Sequence, residues 1–83
     1  MDKVLVEVYV PTLKTAYDMF LPANAMMYEV LKLIKKAVSD LSGGKFIADE
    51  NTIICYRGNG AIININMSVF ELDIHNGTKL MLI

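Results

Sequence analysis

Valine occupies every second position from residue 4 to residue 10, and other residues lie between the valines. An alternation with a period of two is typical of a β-strand with one buried face, and β-branched side chains favour extended backbone. Pro11 has no backbone N–H to donate, so it is expected to end this strand. A second alternating segment over residues 15–21 predicts a partner strand, and residues 11–15 are then expected to close a hairpin.

Apolar residues recur every three or four positions in residues 26–39, which predicts an α-helix with one buried stripe. The stripe consists of Met27, Val30, Leu31, Ile34 and Val38. Asn24, or a backbone group near Ala25, is expected to cap the start of the helix. Ser42-Gly43-Gly44 is expected to end it, because glycine is common just past the C-terminus of a helix.

The rest of the chain predicts short elements. Residues 52–57 have the composition of a third strand, residues 61–65 of a short fourth strand and residues 78–83 of a last strand. Residues 68–74 have the spacing of a short helical turn or packed loop. A hairpin, one helix and then further strands indicate a single α+β domain that spans residues 1–83.

The composition excludes several classes of function. Hydrophobic residues make up 54% of the 83 residues, and the formal net charge is −1. This apolar content excludes a disordered chain, and the chain lacks the basic excess of nucleic-acid-binding proteins. No apolar run approaches the ~20 residues of a membrane helix, and no signal peptide precedes the first strand. Because no such run is present, we expect a protein that does not insert into a membrane. Cys55 is the single cysteine, and one free thiol without a signal peptide predicts a reducing cytoplasm.

Candidate catalytic groups are few. His75 is the only histidine, and with Asp73 it would supply only two of the roughly four ligands of a structural metal site. Cys55 has no predicted base beside it and is expected to act as a small hydrophobic residue of the sheet. Gly58-Asn59-Gly60 lacks the Gly-Lys-Ser/Thr ending of a phosphate-binding loop. We therefore predict no enzymatic activity, no cofactor and no metal.

The order of elements and several short motifs resemble a known family. A hairpin, a helix and further strands follow the order of ubiquitin, and residues 69–83 are similar to ubiquitin's last turn and strand. Tyr17-Asp18, Pro22, Glu29-Val30-Leu31 and Asn76-Gly77 resemble the YukD/EsaB family. These are small ubiquitin-like proteins of the type VII (WXG100) secretion system of Gram-positive bacteria.

The resemblance implies a β-grasp fold, in which one helix packs on one face of a mixed sheet of four to five strands. The implied strand order in the sheet is second, first, fifth, third. Members of the family are regarded as cytosolic accessory proteins that are not conjugated to targets. Conjugation and sulfur transfer need a flexible Gly-Gly tail, whereas this sequence ends in the strand-like Leu80-Met81-Leu82-Ile83.

In such a sheet, alternation places five apolar residues on the face that the helix leaves uncovered. They are Leu5, Ile53, Cys55, Met81 and Ile83. The implied strand order predicts that they form one contiguous patch, and exposed apolar patches on small domains usually mark interfaces. Two alternatives are that Glu7, Tyr9 and Lys79 cover the patch, or that the patch pairs two copies as a homodimer.

We therefore predict a non-catalytic accessory protein of a type VII secretion system that docks onto a protein component of the apparatus. Its expected location is the cytoplasm, at the periphery of a membrane secretion complex. One alternative is a general β-grasp adaptor in another pathway. The other is a sulfur carrier or conjugating protein, if a Gly-Gly tail follows Ile83 in the native gene product.

Overall fold

The first strand, β1 (Lys3–Val10), buries one valine-rich face. The structure, a computed structural model, describes residues 2–83, and Met1 of the predicted domain lies outside the described residues. The buried side chains of β1 are Val6, Val8 and Val10. The predicted alternation is confirmed, because the residues between these valines are only partly buried or exposed.

A tight connection folds β2 (Thr15–Pro22) back onto β1 as an antiparallel partner. Pro11–Leu13 form one turn of 3-10 helix, and Lys14 then adopts a left-handed φ of 51°. Val6 lies opposite Met19 in the register, so the interior face of β1 continues onto β2. The predicted hairpin is confirmed.

The helix, α1 (Met27–Leu41), buries all five residues of the predicted stripe. At its end Gly43 and Gly44 have positive φ values of 67° and 81°. The Gly44 N–H donates to the Ser39 carbonyl at 2.8 Å, and the Gly43 N–H donates to the Asp40 carbonyl at 3.1 Å. This is the Schellman arrangement, in which glycine satisfies the last carbonyls of a helix. The predicted helix end is confirmed.

Two backbone segments cap the start of α1, one next to Ala25 and one far away in sequence. The Met26 carbonyl accepts from the Glu29 N–H at 3.0 Å, so the expected backbone group near Ala25 is confirmed, whereas Asn24 makes no such hydrogen bond in the described residues. The residue at the N-cap position makes no side-chain cap hydrogen bond. Instead, the N–H groups of Met27 and Tyr28 donate to carbonyl oxygens in residues 65–67, at 2.8 and 3.0 Å. These donors have no partner inside the helix, and a segment far away in sequence satisfies them.

Two short strands complete the sheet. They are β3 (Ile54–Tyr56) and β4 (Lys79–Leu82), and the strand order is β2-β1-β4-β3. β4 runs parallel to β1 and antiparallel to β3. The predicted α+β class, mixed sheet and strand order are confirmed, with β4 as the predicted last strand.

Residues 61–65 do not form the predicted short fourth strand. Ile62 makes only an isolated bridge to Cys55. The chain then turns at Asn64, whose side-chain oxygen accepts a hydrogen bond from the Asn66 N–H at 2.9 Å. Such a bond between a side chain and nearby backbone competes with strand pairing. The sheet described here therefore has four strands, the lower of the predicted numbers.

The apolar core lies between α1 and one face of the sheet. The valine face of β1, the stripe of α1 and the inward residues of β3 and β4 belong to one buried cluster. Loop residues close its ends, namely Phe46, Ile63, Val69 and Ile74. Because α1 is the single α-helix in residues 2–83, the opposite side of the sheet has no helix over it. We call that side the open face.

The predicted turn at residues 68–74 begins with a capping box. The Ser68 N–H donates to Glu71 Oε1 at 2.9 Å, and the Glu71 N–H donates to Ser68 Oγ at 3.0 Å. The Leu72 N–H donates to the Ser68 carbonyl at 3.1 Å, which makes one helical turn. Val69 inside this turn is buried in the core, so the capping box fixes a core residue as well as a loop.

We expect Ser68→Ala to lower the free energy of unfolding by about 1 kcal/mol, because it removes the acceptor for the Glu71 N–H. Glu71→Gln is the matched control, since its amide oxygen can still accept from the Ser68 N–H. Urea denaturation followed by circular dichroism measures both. A wild-type midpoint for Ser68→Ala would mean that the box does not hold this turn.

Candidate protein-binding surface

A row of four charged residues crosses the middle of the open face. Glu7 of β1 lies opposite Asp18 of β2 on one side and opposite Lys79 of β4 on the other. The Arg57 N–H donates to the Lys79 carbonyl at 3.1 Å, which places Arg57 beside β3 at the same level. By level we mean the position along the direction of the strands. One charged residue beside each strand therefore divides the open face into two halves.

Arg57 bends back across the open face. Its Nη1 lies 2.8 Å from Glu7 Oε2, and its Cζ lies 4.1 Å from the centre of the Tyr9 ring. A guanidinium over an aromatic face is attracted by the ring, by about 0.5–1 kcal/mol at exposed sites. Arg57 therefore neutralises Glu7 and covers part of Tyr9. The alternative that Glu7, Tyr9 and Lys79 cover the apolar patch stays a prediction.

Beyond the charged row lies the apolar cluster. It consists of Ile53, Cys55, Met81 and Ile83, four of the five predicted binding residues. Ile53 and Ile83 exchange two backbone hydrogen bonds, at 2.8 and 3.0 Å, and Cys55 lies opposite Met81. Ile83 is 47% exposed, while Ile53 and Met81 are half-buried. The structure therefore brings these four residues together, and three of them offer apolar surface.

Cys55 is not a surface residue, and its prediction as part of an exposed patch is wrong. Its exposure is 0%, because Met81 lies beside it on β4 and Ile62 bridges to its other side. The Sγ donates weakly to the Met81 carbonyl at 3.5 Å. Burial raises the pKa of the Cys55 thiol, because desolvation disfavours the thiolate. Cys55 supports the cluster from below.

Leu5 lies apart from the cluster, so the predicted contiguous patch is also wrong. It is opposite Phe20 at the other end of the sheet, and the Gly77 N–H donates to its carbonyl at 2.8 Å. The parallel register of β1 and β4 brings Tyr9, rather than Leu5, beside Met81. The charged row separates the two apolar areas. Leu5 is 39% exposed and Phe20 is 65% exposed.

Sequence reasoning missed a second apolar surface, a groove between α1 and residues 61–65. Tyr28, Ile62 and Ile65 line it around a cavity of about 360 Å³. Ile53 of the apolar cluster also lines this cavity, so the groove and the cluster adjoin at that residue, whereas Ile83 belongs to the cluster alone. Residues 61–65 were expected to lie in the sheet, where alternate side chains would be buried. Because they leave the sheet after one bridge, Ile62 stays exposed.

The polar candidates make local contacts. His75 Nδ1 lies 2.8 Å from the Asp73 backbone oxygen, so the contact is to the main chain and not to the carboxylate. Within residues 2–83, no three side chains of the His, Cys, Asp or Glu type are grouped so that they could hold a metal ion. No helix in the same residues has both the length and the apolar character to cross a membrane.

Comparison with known proteins gives matches only among solved structures. No family model matches the chain, and no curated protein matches it. The chain is similar to the ubiquitin-like domain of the Mycobacterium tuberculosis type VII secretion protein EccD1, with a TM-score of 0.78 and 18% identity. That match covers 100% of this chain and 99% of the EccD1 domain.

Two further structures show how widely the fold occurs. One is a chain of the MycP5-free ESX-5 inner membrane complex (TM-score 0.71, 22% identity), with 100% of this chain and 21% of that chain covered. The other is the UBL domain of Plasmodium falciparum Dsk2 (TM-score 0.74, 16% identity), with 98% and 96% covered. This chain spans about a fifth of the ESX-5 chain. The protein has the ubiquitin-like β-grasp fold, and the fold alone does not decide the pathway.

We expect the Cys55 thiol of the native protein to react about 100-fold more slowly with an aromatic disulfide reagent at pH 8 than after unfolding in guanidinium chloride. The reason is that the thiol is buried and its raised pKa leaves little thiolate. Absorbance of the released thiolate measures both rates. Equal rates would mean that Cys55 is exposed, as the sequence predicted.

Proposed function

We propose that this chain is a non-catalytic accessory protein of a type VII secretion system, of the YukD/EsaB kind. In this role it docks onto a protein component of the secretion apparatus. The observation that carries the proposal is the likeness over the full chain to the EccD1 ubiquitin-like domain, which itself belongs to a type VII secretion protein. A chain of an ESX-5 inner membrane complex contains a domain of the same shape, which supports docking at such a complex.

The proposed docking surface is the apolar cluster with the charged row as its border. Ile53, Met81 and Ile83 offer apolar surface, and Cys55 packs beneath them. Lys79 and Arg57 lie one level away, so a partner would meet an apolar centre beside a polar edge. Protein interfaces commonly combine these two features. Leu5 lies beyond the charged row and is left out of this contact.

The open face also explains why contact, rather than chemistry, is the proposed activity. Its groups are alkyl side chains, the aromatic rings of Tyr9 and Phe20, and a row of charges that includes the ion pair between Arg57 and Glu7. Apolar surface of this kind gains free energy when it is removed from water, at roughly 25 cal/mol per Å². Binding to another protein is the use that this surface supports best.

The test is recovery of the apparatus from cells that produce the protein. The chain carries an affinity tag at its N-terminus, away from the apolar cluster, and the membranes are solubilised before purification. We expect wild type to co-purify type VII secretion components, which mass spectrometry quantifies. Ile53→Asp and Ile83→Asp should each lower that recovery about 10-fold, because each places a charge in an apolar contact.

Leu33→Asp is the matched control, because Leu33 is an exposed leucine on α1, on the other side of the molecule. It should retain wild-type recovery, and all variants should keep the wild-type circular dichroism spectrum. Absence of secretion components from the wild-type sample would overturn the secretion role. Their equal recovery by the Ile53 and Ile83 variants would overturn the apolar cluster as the docking surface.

A further inference from the structure

On the open face, β2 and β4 flank β1 with opposite charges at one level. Glu7 of β1 lies between Asp18 of β2 and Lys79 of β4. The Glu7 carboxylate is paired with Arg57 at 2.8 Å, whereas neither Asp18 nor Lys79 forms an ion pair within residues 2–83. The β2 side of this level therefore carries a free negative charge and the β4 side a free positive charge.

The two flanking strands also differ in side-chain size, one level further along β1. Tyr9 lies between Ala16 of β2 and Met81 of β4. Ala16 is exposed and small, and Met81 is long and half-buried. At this position along the strands, the side chain on β2 therefore projects less far from the sheet than the side chain on β4.

At the next level in the other direction the difference in size is reversed. Leu5 lies between Phe20 of β2, which is 65% exposed, and Gly77, which is joined to Leu5 by a 2.8 Å backbone hydrogen bond. Apart from its chain neighbours Asn76 and Thr78, a Cβ added to Gly77 would meet no atom within 4 Å. Asn76 Oδ1 accepts from the Leu5 N–H at 2.8 Å, so beyond this side chain there is open space beside the Gly77 backbone. Here the side chain on β2 projects far from the sheet, and the segment leading into β4 has no side chain at Gly77.

A two-fold rotation about an axis parallel to β1 exchanges the β2 and β4 sides of the open face. We propose that the open face pairs with a second copy of this chain about such an axis, with each β2 residue facing its β4 counterpart in the other copy. Asp18 then faces Lys79 of the second copy, Ala16 faces its Met81, and Phe20 fills the space over its Gly77. All three levels are complementary under one symmetry operation, as a two-fold interface requires.

The residues nearest the axis suit this arrangement. Leu5 would meet its own counterpart, which brings alkyl groups together, and Tyr9 would meet its counterpart through the part of the ring that Arg57 leaves uncovered. Glu7 would also approach its counterpart, but Arg57 already neutralises it within each chain. Sheets that pack face to face keep their strands within about 30° of each other, which is compatible with strands that run parallel across the axis.

The paired surface is small, because it spans three strands over three levels. An interface below the ~1,200 Å² of stable complexes is weak, so we expect a dissociation constant on the order of 100 μM at low salt. This inference rests on the proposed function for its choice of face, since a second copy and an apparatus component would compete for Met81. The isoleucines used to test docking lie outside the three levels.

Sedimentation velocity of the purified protein from about 10 μM to 1 mM at low salt tests the pairing. We expect wild type to dimerise over this range. Asp18→Lys alone should set lysine against Lys79, and Lys79→Glu alone should set glutamate against Asp18, so each should weaken dimerisation at least about 10-fold. An equimolar mixture of the two variants should regain the wild-type dimer, because both contacts between unlike chains are again opposite in charge.

Glu29→Lys and Lys32→Glu on α1 are the controls, because they change the net charge by the same amounts on the other side of the molecule. They should dimerise like wild type, alone and mixed. A monomeric wild type at 1 mM, wild-type dimerisation by both single variants, or a mixture that fails to regain it would each overturn the pairing. None of these results changes recovery of the secretion apparatus, so a failure of the pairing and a failure of the proposed function can be told apart.

Discussion

The packing of α1 on the valine face of β1 is the constraint on which the rest of the molecule depends. Val6, Val8 and Val10 have almost no exposed surface, and the stripe of α1 is buried in the same cluster. One helix can cover only one side of a sheet, so the other side must be stable in contact with solvent or with another protein. The open face is therefore a direct consequence of how the core is built.

The character of the open face is set by strand register rather than by composition. Because β4 pairs in parallel with β1, Met81 lies beside Tyr9 and Lys79 lies beside Glu7. A shift of one residue would turn the buried leucines of β4 outward, so the core holds this register in place. The same register produces the charged row, the apolar cluster and the complementary flanks of β1.

The sequence predicted the elements that depend on local periodicity, such as the alternation of β1, the stripe of α1 and the glycine end of the helix. It did not predict features that depend on distant contacts. Part of the cap of α1 comes from carbonyls in residues 65–67, and Ile62 bridges to Cys55 without forming a strand. Four of the five predicted binding residues do meet, but Leu5 lies apart from them. The reason is that alternation assigns a residue to one side of the sheet and does not give its position relative to residues of the neighbouring strands.

The central claim is that the apolar cluster on the open face is the working surface. Methyl NMR of protein labelled at isoleucine and methionine methyl groups tests it directly, with the secretion complex purified from native membranes as the added partner. Ile47, which is 83% exposed and lies near α1, is the internal reference. We expect Ile53, Met81 and Ile83 to lose signal while Ile47 keeps its signal. Loss at Ile47 with unchanged signals from the apolar cluster would show that the partner binds elsewhere.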